Sequence, residues 1–277
     1  MSTFQGSSSG TREWKHFDYE VDDLGIATLT FNRPDKLNAI TFEIYADLRD
    51  LASQLANESD TVKVLVLRGE GRGFCSGGDV HEIIGELLKM DPTTHLEFTR
   101  MTCQVIQNLR EMPQLIIAQI HGIAAGAGSV LALASDFRIF GESGSIAFLF
   151  TKVGLSGGDM GSAYLLPRLV GTARATELLM LGDKLPAERA FEIGLANSVV
   201  TDDELEVAVR ALAERLATGP TQAYQNTKRL LTRENDMSLQ ASLELEAMTQ
   251  AHLMSSEDFA EFYQAFSSKR PPDWKGR

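Results

Sequence analysis

The chain has 277 residues, enough for one large domain or a domain with an appendage. Its 38 acidic and 26 basic side chains give a net charge of −12, which argues against a nucleic-acid binder; a hydrophobic fraction of 43% is ample for a buried core. Cys75 and Cys103 have neither metal-ligand spacing nor a disulfide framework, and no apolar run approaches a membrane span, so a reducing, cytoplasmic setting fits.

Residues 1–12, MSTFQGSSSGTR, are small and polar and read as a flexible tail without the apolar centre of a secretory signal. His16 to Val21 and Ile26 to Phe31, joined by Asp22-Asp23-Leu24-Gly25, read as a β-hairpin stopped by Asn32-Arg33-Pro34. Thr41 to Leu55 places Phe42, Tyr45, Leu48, Ala52 and Leu55 at helical spacing. Val62 to Leu67 is an apolar strand, and Val80 to Met90 is helical up to the Asp91-Pro92 break. Leu96 to Met112 is a long helix with Met101, Val105, Leu109 and Met112 on one face. Strands follow at Leu115 to Ile120, Phe137 to Phe140 and Ile146 to Phe150, and helices at Ser162 to Val170, Thr172 to Leu181 and Pro186 to Gly194. Repeated strand, turn and helix imply an α/β fold with parallel strands and helical crossovers. After the short strand Val199-Val200, residues 201–277 read as helices, divided from the 13–200 core; a helical section of this size needs its own core or a neighbouring subunit to pack on.

Three glycine turns stand out. They are Cys75-Ser76-Gly77-Gly78-Asp79, Gly126-Ala127-Gly128 and Gly157-Gly158-Asp159-Met160-Gly161, each leading toward a helix. Glycine lets the backbone come close to a ligand and leaves N–H groups pointing outward, where the positive end of the helix dipole adds to them. Two such N–H groups converging on one point make an oxyanion hole.

From roughly Phe17 to Trp274 the chain resembles the crotonase, or enoyl-CoA hydratase/isomerase, superfamily. The resemblance is carried by Asn32-Arg33-Pro34-Asp35-Lys36-Leu37-Asn38-Ala39, Gly73 to Asp79, His121-Gly122 through Gly128, Ala134-Ser135-Asp136, Leu166 to Gly171, and an A-x-x-A-x-x-x-G-L pattern over Ala187 to Leu195. It implies a spiral of ββα repeats, a C-terminal helical trimerisation region, and a homotrimer or hexamer. It also implies an acyl-coenzyme A thioester as substrate, with coenzyme A part of the substrate, no prosthetic group and no metal. By position, the N–H groups of Gly78 and Ala127 form the oxyanion hole. Ala39, Ser76, Gly77, Gly78 and Asp79 line the CoA site, while Lys36 and Lys269 lie near the CoA nucleotide, Lys269 serving a neighbouring subunit.

The chain departs from typical hydratases at both catalytic glutamates, where it has Val130 and Phe150. Asp159 is the acid left in the right neighbourhood, and related family members that isomerise dienoyl thioesters or displace halide carry a functional aspartate in this turn. Two roles stand side by side for it. An aspartate before a helix is a preferred N-cap, contributing about 1 kcal/mol and favouring the charged form. Apolar neighbours Phe148, Phe150, Leu155 and Met160 oppose this by desolvation and favour an acid/base. Glu82 reads as a surface carboxylate, His121 and Asp136 as structural hydrogen-bonding groups, Tyr164 as core, and Cys75 and His81 as lacking catalytic partners. The expectation is an acyl-CoA lyase or isomerase with Asp159 as acid/base; the alternatives are a hydrolase or dehalogenase-like enzyme with Asp159 as nucleophile, and a non-catalytic acyl-CoA binder.

Overall fold

A computed structural model describes residues 4–7 and 14–277. Its strands are β1 (Phe17–Val21), β2 (Ile26–Phe31), β3 (Val64–Gly69), β4 (Leu115–Ile120), β5 (Ile123–Ala125), β6 (Phe137–Gly141), β7 (Ser145–Ala147), β8 (Leu185–Pro186) and β9 (Ser198–Val200). β1 and β2 form the expected hairpin, and from β2 onward the large sheet runs parallel in the order β1-β2-β3-β4-β6-β9. A smaller sheet, β5-β7-β8, stands apart from it. Parallel neighbours need crossovers, and the helices Phe42–Leu55, Pro92–Glu111 and Ala127–Ala134 supply them.

The large sheet is covered on both faces, which explains why its strands read as continuous apolar runs. Successive side chains point to opposite faces, so Leu65 and Leu67 pack with Leu48, Leu51, Leu55 and Leu109, while Val64 and Val66 join Leu115, Ile117 and Ile139 in a second core. Each buried Leu or Val contributes about 1.5–3 kcal/mol relative to exposure. The second core is closed by Leu205, Val209, Ala213 and Leu216 of the helix Leu205–Ala217, a helix that the sequence groups with the C-terminal section.

Four local differences from the sequence reading have physical reasons. Phe4, in the expected flexible tail, is 6% exposed; its ring stacks on Phe42 at 5.0 Å and lies 5.7 Å from Phe98. Ser7 follows by donating its N–H and hydroxyl to the Asp47 carboxylate at 2.6 and 2.5 Å. Residues 1–3 and 8–12 of that tail lie outside the described residues. The apolar stretch Ile146 to Phe150 is strand only as far as Ala147; Leu149–Val153 winds into a 3-10 turn, closed by Gly154 at φ 80°. Asp91-Pro92 starts a helix as well as ending one, because the Asp91 carboxylate accepts the N–H groups of Thr93 and Thr94 and proline suits the first turn. Tyr164, read as core, is 37% exposed; its hydroxyl donates to Asp236 at 2.5 Å and the Arg168 guanidinium lies 3.5 Å over its ring.

The last helices, Leu239–Leu253 and Glu257–Ser267, bury little of themselves. Leu239, Leu243, Met248, Phe259, Phe262, Tyr263 and Phe266 are all more than half exposed. Among the described residues no helix is long and apolar enough to cross a membrane.

Candidate active site

The first two glycine turns lie against each other. The backbone after β3 is stitched to β5, Cys75 donating to Ile123 O at 3.0 Å and Ala125 donating to Cys75 O at 2.8 Å. Gly77 has φ 99°, and a Cβ there would sit 2.9 Å from Ala125 O and 3.4 Å from Ala127 N. Gly128 lies so close to Cys75 that a Cβ would fall 2.3 Å from its carbonyl oxygen. Glycine at these positions is a packing requirement: only a residue without a side chain lets the two turns meet. Gly126, at φ 50°, aims the helix Ala127–Ala134, whose first N–H belongs to Ala127. Among the described residues, neither the Gly78 N–H nor the Ala127 N–H has a backbone acceptor, whereas the N–H groups flanking them, of Asp79 and Gly126, bond Ile40 O at 2.8 Å and Ala147 O at 3.0 Å.

The third turn carries Asp159. Its carboxylate accepts the N–H of Met160 at 2.8 Å, and its own N–H donates to Ser162 Oγ at 3.1 Å. The helix Ser162–Val170 begins only after Met160 (φ 50°) and Gly161 (φ 90°), and Gly161, its capping residue, offers no side chain. Asp159 is therefore not the helix cap that its sequence position suggests. The two left-handed residues carry the chain away before the first helical N–H is reached. Burial pushes the Asp159 carboxyl above the usual range and outweighs the single Met160 N–H. The expected lowering by capping does not occur because the cap does not form. Met160, Phe148 and Phe150 are buried, but Leu155 is 58% exposed and adds little to the desolvation. The Tyr45 and Cys103 side chains both feel the charge of Asp159.

Asp79 behaves in the opposite way. Burial pushes its carboxyl up, but the N–H groups of Glu82 and His81 and the Arg33 guanidinium outweigh that and hold it below the ordinary range. It is a capping and pairing residue at the end of the first turn. Arg33 also donates to Ala39 O and pairs with Glu82 at 3.0 Å, while Asn38 Nδ2 bonds Glu70 O and Gly73 O. These two polar anchors, which the sequence shows only as family motif, fix the loop that carries Lys36 and Ala39 against the turn that carries Ser76. Ser76 donates its N–H to Leu37 O at 2.9 Å, and Lys36 is exposed at the end of the turn Pro34–Lys36. Lys269 is exposed past the last helix, its N–H on Phe266 O, and nothing among the described residues joins it to these turns.

The other named residues sort plainly. Val130 is fully buried and Phe150 is 8% exposed, and both positions are apolar. His121 Nε2 bonds Gly71 O at 3.0 Å. Asp136 takes the Ile116 N–H at 2.8 Å and pairs with Lys228 at 2.9 Å and Arg110 at 3.4 Å, a structural cluster. The buried Cys75 thiol is pushed up to about 12 by desolvation.

A hairpin leading into a parallel sheet, crossed by helices and bearing two abutting glycine turns, is the crotonase architecture. The chain belongs to the enoyl-CoA hydratase/isomerase family, whose model matches residues 22–277, and it is an enzyme of that family. A solved Streptomyces coelicolor A3(2) protein named for the enoyl-CoA hydratases is 58% identical, with a TM-score of 0.94 over 100% of both chains. Among curated relatives, 1,2-epoxyphenylacetyl-CoA isomerase of Escherichia coli (strain K12) is 36% identical over 92% of this chain and 97% of its own length. Trans-2-decenoyl-[acyl-carrier-protein] isomerase of Streptococcus mutans serotype c (strain ATCC 700610 / UA159) is 31% identical over 96% and 100%.

Proposed function

We propose that this enzyme takes an acyl-CoA thioester and moves a proton on the carbons next to the thioester. The thioester oxygen lies between the N–H groups of Gly78 and Ala127, and Asp159 is the acid/base. The observation that carries this reading is Asp159 itself: a desolvated carboxyl with one backbone donor and a raised proton affinity, in a chain whose Gly78 and Ala127 N–H groups have no backbone acceptor among the described residues. A carboxyl shifted upward lies closer to working pH and exchanges protons more effectively. One such group removes a proton at one carbon and returns it at another, so a double-bond shift needs no second acid. Val130 and Phe150 offer no polar atom to hold a water, so isomerisation fits this site better than hydration. Both curated relatives described above are isomerases by name. Lys36 and Lys269 serve the CoA nucleotide, and the exposed apolar helices after Leu239 are covered in a trimer or hexamer, with Lys269 reaching a neighbour's site.

The test is proton exchange. An enoyl-CoA incubated with the enzyme in heavy water gains deuterium at the carbons flanking the double bond, and the Asp159→Asn variant does not catalyse the gain. Exchange at the wild-type rate in that variant would remove Asp159 from the mechanism. Covalent labelling of Asp159 by the acyl group would replace proton transfer with nucleophilic attack.

A further inference from the structure

One polar group beside Gly78 is not used by the proton transfer just described. Tyr45 lies on the helix Phe42–Leu55, which Thr41 caps by accepting the Ile44 N–H at 3.3 Å. The residue before that cap is tied to the first glycine turn: Ile40 donates to Gly77 O, and Asp79 donates to Ile40 O, both at 2.8 Å. Tyr45 is thus held at a set distance from Gly78. A Cβ built on Gly78 would sit 3.8 Å from the Tyr45 hydroxyl, with Ile83 the other near neighbour. The ring packs edge-on against Phe98, 5.6 Å between centroids, and the residue is only 4% exposed. The hydroxyl has no protein hydrogen-bond partner among the described residues, yet it is not one of the polar atoms sealed from solvent, so it keeps access to water. It therefore lines the space beside Gly78.

A hydroxyl that loses its access to water without gaining a partner is costly. Burial pushes the Tyr45 proton affinity upward, so the group is an O–H donor throughout the working range. An all-hydrocarbon acyl chain would seal this donor away from water and leave it unsatisfied.

We propose that Tyr45 reads the substrate, donating a hydrogen bond to an oxygen carried on the acyl chain near the reacting carbons, so that the preferred substrates are oxygen-bearing acyl thioesters. This rests on the acyl-CoA reading above and names the substrate class within it. Sites built to hydrogen-bond a substrate oxygen reject analogues lacking it, because the site's own polar group is then stranded.

The experiment is calorimetric binding of two ligands that differ by one oxygen, butyryl-CoA and β-hydroxybutyryl-CoA, to the wild-type protein and to Tyr45→Phe. Phenylalanine keeps the ring against Phe98, and a thermal melt confirms folding. The wild type is expected to favour the hydroxylated ligand by about tenfold or more, the scale of one buried hydrogen bond. Tyr45→Phe is expected to bring that ratio to about one while binding butyryl-CoA at least as well. An unchanged ratio in Tyr45→Phe, or no preference in the wild type, overturns the proposal and leaves the acyl-CoA reading standing. Equal weakening of both ligands gives the hydroxyl to the thioester oxygen and also overturns it. If neither ligand binds the wild type, the acyl-CoA reading itself fails and this inference falls with it.

Discussion

Residues 76–79 and 156–159 are the same tetrapeptide, Ser-Gly-Gly-Asp, and each leads toward a helix. In the first, the left-handed residue is Gly77, which precedes the aspartate, so Asp79 enters its helix directly and caps it through His81 and Glu82. In the second, the left-handed residues are Met160 and Gly161, which follow the aspartate, so the Asp159 backbone meets the helix start at Ser162 while its carboxylate accepts only the Met160 N–H. Arg33 then neutralises Asp79, and no cation within salt-bridge distance does so for Asp159 among the described residues. One carboxyl ends below its ordinary proton affinity and the other above it. Where the left-handed residues fall, and not the tetrapeptide, decides which aspartate is structural and which is chemically available. Met160 is a non-glycine residue in that region and is fully packed, a conformation that costs of order 1–3 kcal/mol and tends to persist at functional sites.

The comparison breaks most directly at Asp159. Asp159→Asn is expected to lower turnover by about 10²-fold or more, the scale of a general acid/base, while the fold is kept because no helix cap is lost. Steady-state kinetics beside a thermal melt checks it. A stable, fully active Asp159→Asn would make the two turns equivalent after all.

Inside the first turn, the two adjacent glycines are expected to separate. Gly77→Ala forces a left-handed alanine and drives a Cβ to 2.9 Å from Ala125 O, so it should cost about 1–3 kcal/mol and pull the turn away from Ala127. Gly78→Ala meets nothing closer than 3.8 Å, and Gly78 has no positive φ, so it should fold normally. Chemical denaturation of the pair reads the difference. Equal loss in both variants would mean that the turn is held by something other than the close approach of Gly77 to Ala127.

Much of this was legible in the chain, and the misses share a cause. Period-two and period-3.6 patterns found the hairpin, the parallel strands and the long helices, because apolar burial imposes those periods directly. Glycine turns were legible because only glycine tolerates the approach of Gly77 and Gly128 to their neighbours. Whether Asp159 caps its helix was not decidable: two backbone dihedrals at Met160 and Gly161 settle it, and methionine gives no warning of a positive φ. Tyr45 was read only as one member of an apolar helix face, since periodicity shows which face a ring lies on but not what its hydroxyl meets. Phe4 was lost in a polar tail because one aromatic residue carries no period, although Phe42 and Phe98 provide the surface it needs. Tyr164 falls at a core spacing, yet Asp236, 72 residues away, draws it outward.

The smallest expected effect is also the sharpest test of the contrast, because it has opposite signs at the two aspartates. For Asp79 the folded-state affinity for a proton lies below the unfolded value near 3.8, so its charge adds stability above that pH, lost as pH falls through the folded value. For Asp159 the folded-state affinity lies above 3.8, so its charge lowers stability at neutral pH, and that cost disappears once pH falls below the unfolded value. Asparagine caps a helix about as well as aspartate, so Asp79→Asn removes mainly the charge and its pairing with Arg33. At pH 7, Asp79→Asn should melt below the wild type and Asp159→Asn at or above it, each by no more than about 2–4 °C, the scale of ~1 kcal/mol in a chain of this size. The Asp159 difference should shrink as pH falls toward 3.8, whereas the Asp79 difference should persist there and be lost only below it. Melting curves of the three proteins between neutral and mildly acid pH decide the matter. If the two variants move in the same direction at pH 7, the carboxyls share one environment, and the desolvated, uncompensated Asp159 on which the acid/base reading depends is lost.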